Sequence, residues 1–328
     1  MSGIFGIRYL DGRPLGREYL ERMVDMLAHR GPDGAAIWCE GSIGLGHRML
    51  WTTPESLLEK QPLADPSGEL TITADARIDN RDELIHVLNL DSCPPEKITD
   101  SQVILAAYLQ WGEDCPDKLL GDFAFAIWDG RKQQLFCTRD HFGIKPFYYH
   151  ASKQTFVFAS EIKAIFCLPE VPQQINEVRI GDYLASMFND VTSTSYQDIF
   201  RLPAAHRLTV RASGIQLQPY WTLNPDRAIH LGSDAAYAAK FREIFIDAVR
   251  CRLRSAFPIG STLSGGLDSS SITCVARGLL AEKGAPPLHT FSAVFDKLTE
   301  CDERSYINAV VAQDGLEPHY IQADQRWL

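Results

Sequence analysis

Two patterns of apolar positions divide the chain. In the first part, apolar residues come in short runs between turn residues, the signature of strands. Residues 2–7 form one such run with two glycines, a strand expected to begin at the terminus itself. A helix is expected over residues 18–28, with Tyr19, Leu20, Met23 and Leu27 on one face and Gly31-Pro32-Asp33-Gly34 as the turn that ends it. A strand is expected before residues 44–48 and another over 71–74, and Thr99, Asp100 and Ser101 cap a helix over residues 102–109. Residues 121–129 alternate apolar and small residues, which predicts a buried strand closing in a hairpin turn at Asp129-Gly130. Residues 135–140 return from that turn, and 141–149 and 156–160 continue the meander. Many strands with few helices predict stacked antiparallel sheets flanked by helices.

The second pattern has the helical period. Residues 220–225 end the β-rich part and the polar residues 226–233 read as a linker, giving domains over 1–225 and 234–328. A long helix is expected over 234–255, with Tyr237, Phe241, Ile244, Phe245, Ala248, Val249 and Arg252 on one side. Its basic end, Arg250, Arg252 and Arg254, suits a helix C-terminus. The apolar segment 258–263 then runs into Ser264-Gly265-Gly266-Leu267-Asp268-Ser269-Ser270. Ile272, Val275, Ala276, Leu279 and Leu280 follow at helical spacing. A buried strand over 288–295, a helix over 304–313 stopped by Gly315, and a short strand over 319–322 complete a β-α-β-α-β series. This is the first half of a parallel doubly wound sheet. Such sheets usually reach five strands or more, so a chain ending at Trp327-Leu328 after three is expected to be a fragment or to need a complementing chain.

The stretch from Ser264 to Ser270 sits where a strand turns into a helix. Adjacent glycines let the backbone approach an anion closely, and a helix N-terminus opening with serines offers N–H groups and hydroxyls to phosphate. A carboxylate there repels phosphate unless a divalent cation lies between, so Asp268 reads as a Mg²⁺ ligand, or else as a plain helix cap. The lysine of G-x-x-x-x-G-K-[ST] is missing, which argues against γ-phosphate transfer of that type. At the other end of the chain, loss of Met1 would leave the Ser2 hydroxyl beside its own α-amine, the minimal nucleophile–base pair of an N-terminal hydrolase. Many chains begin Met-Ser for processing reasons alone, so Ser2 by itself assigns nothing.

Composition changes this picture little. A net charge of −10 argues against a nucleic-acid partner. No apolar run is long enough to span a membrane, and Arg8 and Asp11 interrupt any signal-peptide core. The eight cysteines are scattered, without a C-x-x-C pair or a neighbouring His at ligand spacing, which argues against a cysteine zinc site, and they read as mostly buried thiols of a reducing cytoplasm.

The residues 264–270 resemble the pyrophosphate-binding loop S-G-G-x-D-S-S of ATP pyrophosphatases such as asparagine synthetases, at all seven positions. Residues 1–205 resemble the class II glutaminase domain of that family through H-R-G-P-D-G, G-x-F-A-F-A-I-W-D, R-D-x-F-G-x-K-P-x-Y-Y and S-E-I-K-A. The resemblance implies an αββα N-terminal-nucleophile domain of the α+β class, followed by an incomplete α/β parallel-sheet ATP-pyrophosphatase domain. It implies ATP and Mg²⁺ held by Ser264, Gly265, Gly266, Asp268, Ser269 and Ser270, with Asp268 on the metal and Leu263 and Ala293 flanking the nucleotide.

The departures bear on activity. The family's nucleophile is a cysteine directly after Met1, and this chain has Ser2. The family's oxyanion hole uses an Asn-Gly pair, and alignment on Ile78-Asp79-Asn80 puts Asp75-Ala76 there. A carboxylate repels a developing oxyanion, and loss of one donor typically costs about 10²–10³-fold in rate. Arg48 and Asp100 match residues that grip the glutamine carboxylate and amine, or hold structural hydrogen bonds. The expectation is an ATP-dependent amide ligase that adenylates a carboxylate, its glutaminase half inactive. Lasso-peptide macrolactam or β-lactam-type cyclases, which also lack the cysteine, are the alternative, and an inactive fragment or assembly subunit is the second. Expected partners are a small-molecule or peptide carboxylate and either a complementing synthetase fragment or a second copy.

Overall fold

The computed structural model describes residues 1–324, so Trp327 and Leu328 lie outside the described residues. The chain divides into two compact units, one of residues 1–51 and 55–224, the other of residues 52–54 and 225 onward.

In the first unit the elements follow in the order β1 (Gly3–Tyr9), α1 (Arg17–Met26), β2 (Gly34–Glu40), β3 (Ile43–Met49), β4 (Leu63–Ala64), β5 (Leu70–Ile78), α2 (Arg81–Val87) and α3 (Asp100–Trp111). Then come β6 (Gly121–Asp129), β7 (Gln134–Arg139), β8 (Tyr148–Ala151), β9 (Thr155–Ala159), α4 (Ile162–Ile165), α5 (Glu177–Leu184), β10 (Ile199–Arg201), β11 (His206–Arg211) and β12 (Gly214–Pro219). The strands make two six-stranded sheets, ordered β10-β8-β9-β1-β3-β2 and β12-β11-β7-β6-β5-β4.

Strand alternation explains the layers. Ile4, Leu45 and Phe158 on the first sheet meet Ala124, Ala126, Cys137 and Leu208 on the second, which packs sheet on sheet. The opposite face of the first sheet, Phe5, Ile7 and Val157, takes Leu20 and Met23 of α1, Leu27 at its C-cap and Ile165 of α4. The opposite face of the second, Ile72, Phe125 and Ile127, takes Leu84 of α2 and Ile104, Ala107 and Tyr108 of α3. The result is helix, sheet, sheet, helix. Helix α3 starts where the sequence places its cap: the Gln102 N–H donates to the Thr99 hydroxyl and the Gln102 side chain accepts from the Thr99 N–H, a capping box.

Boundaries differ from expectation where pairing overrides local signals. The strand expected over 71–74 runs from Leu70 to Ile78, because β6 pairs with it in continuous register from Asp129 to Gly121. Residues 44–48 follow a strand, β2, as expected, and themselves form most of the next, β3, which lies between β1 and β2.

The second unit contains α6 (Asp234–Arg252), β13 (Gly260–Thr262), α7 (Leu267–Glu282), β14 (Leu288–Val294), α8 (Arg304–Val311) and β15 (Leu316–Gln322). Its three strands are parallel, ordered β13-β14-β15. Leu288 packs with Val249 of α6 and Ala276 and Leu279 of α7, while Leu263 packs with Ile307 and Val310 of α8. The expectation of a fully buried strand over 288–295 is corrected: Leu288, Thr290, Ser292 and Val294 are buried, but the alternate positions are not, and Phe291 is 41% exposed. Among the described residues only one face of β14 is covered. No helix among the described residues is long and apolar enough to cross a membrane.

Candidate functional site

Each unit carries one candidate site. In the first, Ser2 is buried just before β1, and its hydroxyl accepts from the Leu50 N–H (3.0 Å) beyond the end of β3. Its carbonyl accepts from Arg30 Nε (3.1 Å). The H-R-G-P-D-G turn can bring Arg30 there because Gly31 lies against β3: a Cβ on it would stand 2.4 Å from the Arg48 carbonyl carbon.

Asp75 is 4% exposed in the middle of β5. Lys145 Nζ donates to its Oδ1 at 2.7 Å, and Arg30 Nη2 lies 4.0 Å from its Oδ2. The lysine is aimed by its own motif. Buried Asp140 accepts from the N–H groups of Phe142 (3.1 Å), Ile144 (2.9 Å) and Lys145 (3.0 Å), while Arg139 Nε donates to the Lys145 carbonyl (2.6 Å). Arg30 also donates to Glu161 (3.0 Å), which His29 and Lys163 approach at 2.8 and 3.2 Å. Burial pushes the Glu161 carboxyl up, but the hydrogen bonds from Arg30, His29 and Lys163 outweigh it and bring its pKa to about 2.

The Met1 ammonium lies in the same field. Burial lowers its pKa, Asp75 opposes that, and Lys145 and Arg30 lower it further. A chain of alternating charge, covered at Asp75, Arg30 and Lys145 and opening to solvent at His29 and Lys163, thus occupies the neighbourhood of Ser2. Ala76 follows Asp75 in the ladder, opposite Phe123. Behind Asp75, Thr73 donates its hydroxyl to the Gly46 carbonyl (3.0 Å), so the His47 Nδ1 at 3.2 Å from that hydroxyl carries the hydrogen. Burial lowers the His47 pKa to about 4, with Asp75 pulling the other way.

The two expected glutamine-gripping residues differ. Asp100 is committed: its Oδ1 accepts from Arg81 Nη1 (2.7 Å) and its Oδ2 from the Ile78 N–H (3.0 Å), so it ties the start of α3 to β5 and α2. The Nε of half-buried Arg48 meets no partner among the described residues. The structure thus brings Ser2 and Asp75 together through Arg30. Sequence reasoning did not single out Arg30 and Lys145, although both lie inside motifs it quoted; the signal was two cations within reach of a buried carboxylate that needed pairing.

In the second unit, β13 leads into the loop that opens α7. Leu263 is buried and donates its N–H to the Phe291 carbonyl (2.9 Å), which registers the loop on β14. Gly265 has φ +89°, and a Cβ on it would stand 3.0 Å from the Tyr306 Cβ, so both conformation and space demand glycine. The N-cap of α7 is Gly266, with no side-chain cap. A Cβ there would meet only the Ser264 Oγ at 3.7 Å, so the front of the helix N-terminus is open. The Ser264 and Ser269 hydroxyls lie 3.0 Å apart and the Ser264 N–H donates to Ser269 Oγ (3.2 Å), which closes the loop on itself. Ser270 donates its N–H to the Gly266 carbonyl (3.1 Å) as the first turn of the helix, and Asp268 is exposed in that turn. Ala293 lies on the open face of β14.

An anion can approach this loop along uncapped helix N–H groups, and an exposed carboxylate beside it can carry a divalent cation. The residues fit a Mg²⁺-polyphosphate: Asp268 would hold the metal, which would neutralise phosphate charge.

Known proteins agree with both halves. A glutamine amidotransferase domain family matches residues 1–221, and the asparagine synthase family matches residues 240–327. Asparagine synthetase (glutamine-hydrolyzing) 3 of Bacillus subtilis is 34% identical over 94% of this chain and 53% of its own length. A putative asparagine synthetase (glutamine-hydrolyzing) 2 of Methanocaldococcus jannaschii is 32% identical over 99% of this chain and 65% of its own. The chain thus spans about half to two thirds of the length of these curated relatives. Among solved structures, the allosteric regulatory enzyme of purine biosynthesis shares the fold, with TM-score 0.50 at 13% identity over 97% of this chain and 80% of that one.

Proposed function

The chain belongs to the glutamine-hydrolysing asparagine synthetase family, and from that premise we propose that it serves ATP-dependent amide-bond formation with a silent glutaminase half. The synthetase half takes ATP as substrate at the loop from Ser264 to Ser270. A carboxylate oxygen attacks the α-phosphorus, pyrophosphate leaves, and the resulting acyl adenylate yields its acyl group to an amine with release of AMP. The chain's own part is to hold the phosphates on the N–H groups at the start of α7 and on the Ser264, Ser269 and Ser270 hydroxyls. Asp268 would hold Mg²⁺, whose charge would neutralise that of the polyphosphate.

The observation that carries the silent glutaminase is the Asp75–Lys145 ion pair of 2.7 Å. Alignment with the family puts the oxyanion donors at Asp75 and Ala76, and here a carboxylate held by a lysine takes that place. Its charge opposes an oxyanion. A serine hydroxyl at position 2 is also a far weaker nucleophile near neutral pH than a thiolate.

A second reading within the family, an intramolecular cyclase closing a peptide macrolactam or a β-lactam ring, is favoured by the same departures at Ser2, Asp75 and Ala76, since a ring-closing enzyme needs no ammonia. Product analysis with ATP, Mg²⁺ and glutamine tests both. Glutamate formed from glutamine would overturn the silent glutaminase, and glutamine-dependent asparagine would exclude the cyclase. Carboxylate-dependent ATP–pyrophosphate exchange supports the ligase. Nucleotide binding without exchange supports an assembly subunit.

A further inference from the structure

The amino-terminal ends of β14 and β15, away from the phosphate loop at the carboxyl ends, carry a second constellation. On the open face of the sheet, His289 stands directly opposite Glu317, and Phe291 opposite His319. Gly260 flanks His289 on the other side and supplies no side chain, and the Phe291 ring leans over it: a Cβ there would lie 2.7 Å from Phe291 Cε2. Phe291 also stacks on the His319 imidazole, with centroids 4.9 Å apart and planes at 17°, which fixes that ring.

Three donor atoms converge as a result. His289 Nδ1 and His319 Nε2 are 3.0 Å apart, and of the Glu317 carboxylate Oε2 lies 3.6 Å from the first and Oε1 3.9 Å from the second. A hydrogen bond between the imidazoles accounts for the first distance alone. The carboxylate is too far from either ring to bond it, yet faces both. Tetrahedral zinc, with bonds of about 2.0–2.2 Å, sets its ligand atoms about 3.4 Å apart. The nitrogen pair and the nearer carboxylate contact, 3.0 and 3.6 Å, bracket that edge, and the three ligand atoms lie within 4.8 Å of one another, so an ion at their centre needs the exposed Glu317 side chain to close in. Among the described residues this is the one group of three His, Cys, Asp or Glu side chains with such geometry.

We propose that His289, Glu317 and His319 bind one late first-row divalent cation of the zinc class, with water at the fourth position, clamping β15 to β14. Two imidazoles and one carboxylate select zinc, cobalt or nickel over magnesium, which prefers oxygen ligands alone. This site is independent of the nucleotide loop and of the reading given to it.

The test is a cobalt titration of the tag-free, chelator-stripped 328-residue chain, followed by visible absorption, with zinc competition measured by calorimetry. One equivalent is expected to bind, with ligand-field bands of a four-coordinate site and no thiolate charge-transfer band, and millimolar magnesium is not expected to displace it. His289→Ala and His319→Ala are each expected to weaken binding at least about tenfold, since even loss of a partner behind a ligand typically costs 10–100-fold. Glu317→Gln, at an exposed position where misfolding is not an issue, is expected to weaken it as well. Absence of binding, binding unchanged by Glu317→Gln, or a thiolate band would each overturn the proposal.

Discussion

Replacing Asp75 by asparagine isolates what the charge network contributes. The side chains of Asp75, Lys145 and Arg30 are 5%, 13% and 11% exposed, so none can rehydrate freely when a partner goes. At 2.7 Å the Asp75–Lys145 attraction is about 6 kcal/mol at an effective dielectric of 20, most of it offset by the cost of desolvating both groups. Removing one member of such a pair leaves the other buried and unmatched, which typically costs 3–5 kcal/mol. Arg30 keeps Glu161, and Lys145 retains slight solvent access, which puts the expected loss at the lower end, about 3 kcal/mol. For a unit of this size that is a fall of roughly 6–12 °C in the melting temperature. Calorimetry of Asp75→Asn, Lys145→Met and the double variant supplies the cycle. The double variant is expected to be less destabilised than the two single losses combined, by 1 kcal/mol or more. An unchanged or raised melting temperature for Asp75→Asn would refute the claim that this carboxylate is held by the network.

Ser2→Cys alone is expected to leave glutamine hydrolysis at background in a glutamate-release assay, because Asp75 stays in place; substantial turnover would count against the oxyanion argument. Gly265→Ala forces a side chain into positive φ and against Tyr306, which should cost roughly 1–3 kcal/mol in urea unfolding of the second unit and weaken nucleotide binding; wild-type behaviour would mean the loop is not held as described. Among the groups of the first unit whose folded pKa values lie below their ordinary ones are His47 and Glu161; at each the unfolded chain binds the proton more readily, so its contribution to stability is lost in acid. The His47 contribution should fall as pH drops from about 6.5 to 4, opposed over much of that range by Glu59, whose carboxyl burial raises to about 7, and the Glu161 contribution should fall toward pH 2 as that carboxylate protonates. In denaturation followed across pH, the stability difference between His47→Gln and wild type should change with pH over the first range and that of Glu161→Gln over the second; differences independent of pH in both variants would contradict these assignments.

Local signals made several elements legible. The cap at Thr99, the alternation into β6 and the strand–Gly-Gly–helix transition at residues 263–267 each depend on residues within a few positions of one another. Elements fixed by tertiary pairing were not read: β10, β11 and β12 lack a strong pattern of their own, and α2 and α5 lie in mixed polar stretches. The exposed alternate face of β14 could not be seen from residues that mix apolar and polar side chains on both faces. Motif likeness located Ser2 and Asp75, but the pairing of Asp75 with Lys145 joins positions 70 residues apart and depends on how Asp140 shapes its loop. Asp100 shows the converse, since the residue matching a substrate grip is occupied by Arg81 and a strand N–H.

Equilibrium binding of ATP to the chain, with and without Mg²⁺, in wild type and in Asp268→Ala, tests the central claim most directly. Asp268 is exposed, so the variant keeps its fold. The account predicts saturable, Mg²⁺-dependent binding in the wild type that weakens at least about tenfold in the variant, whereas equal affinity in both proteins, or none in the wild type, would contradict it.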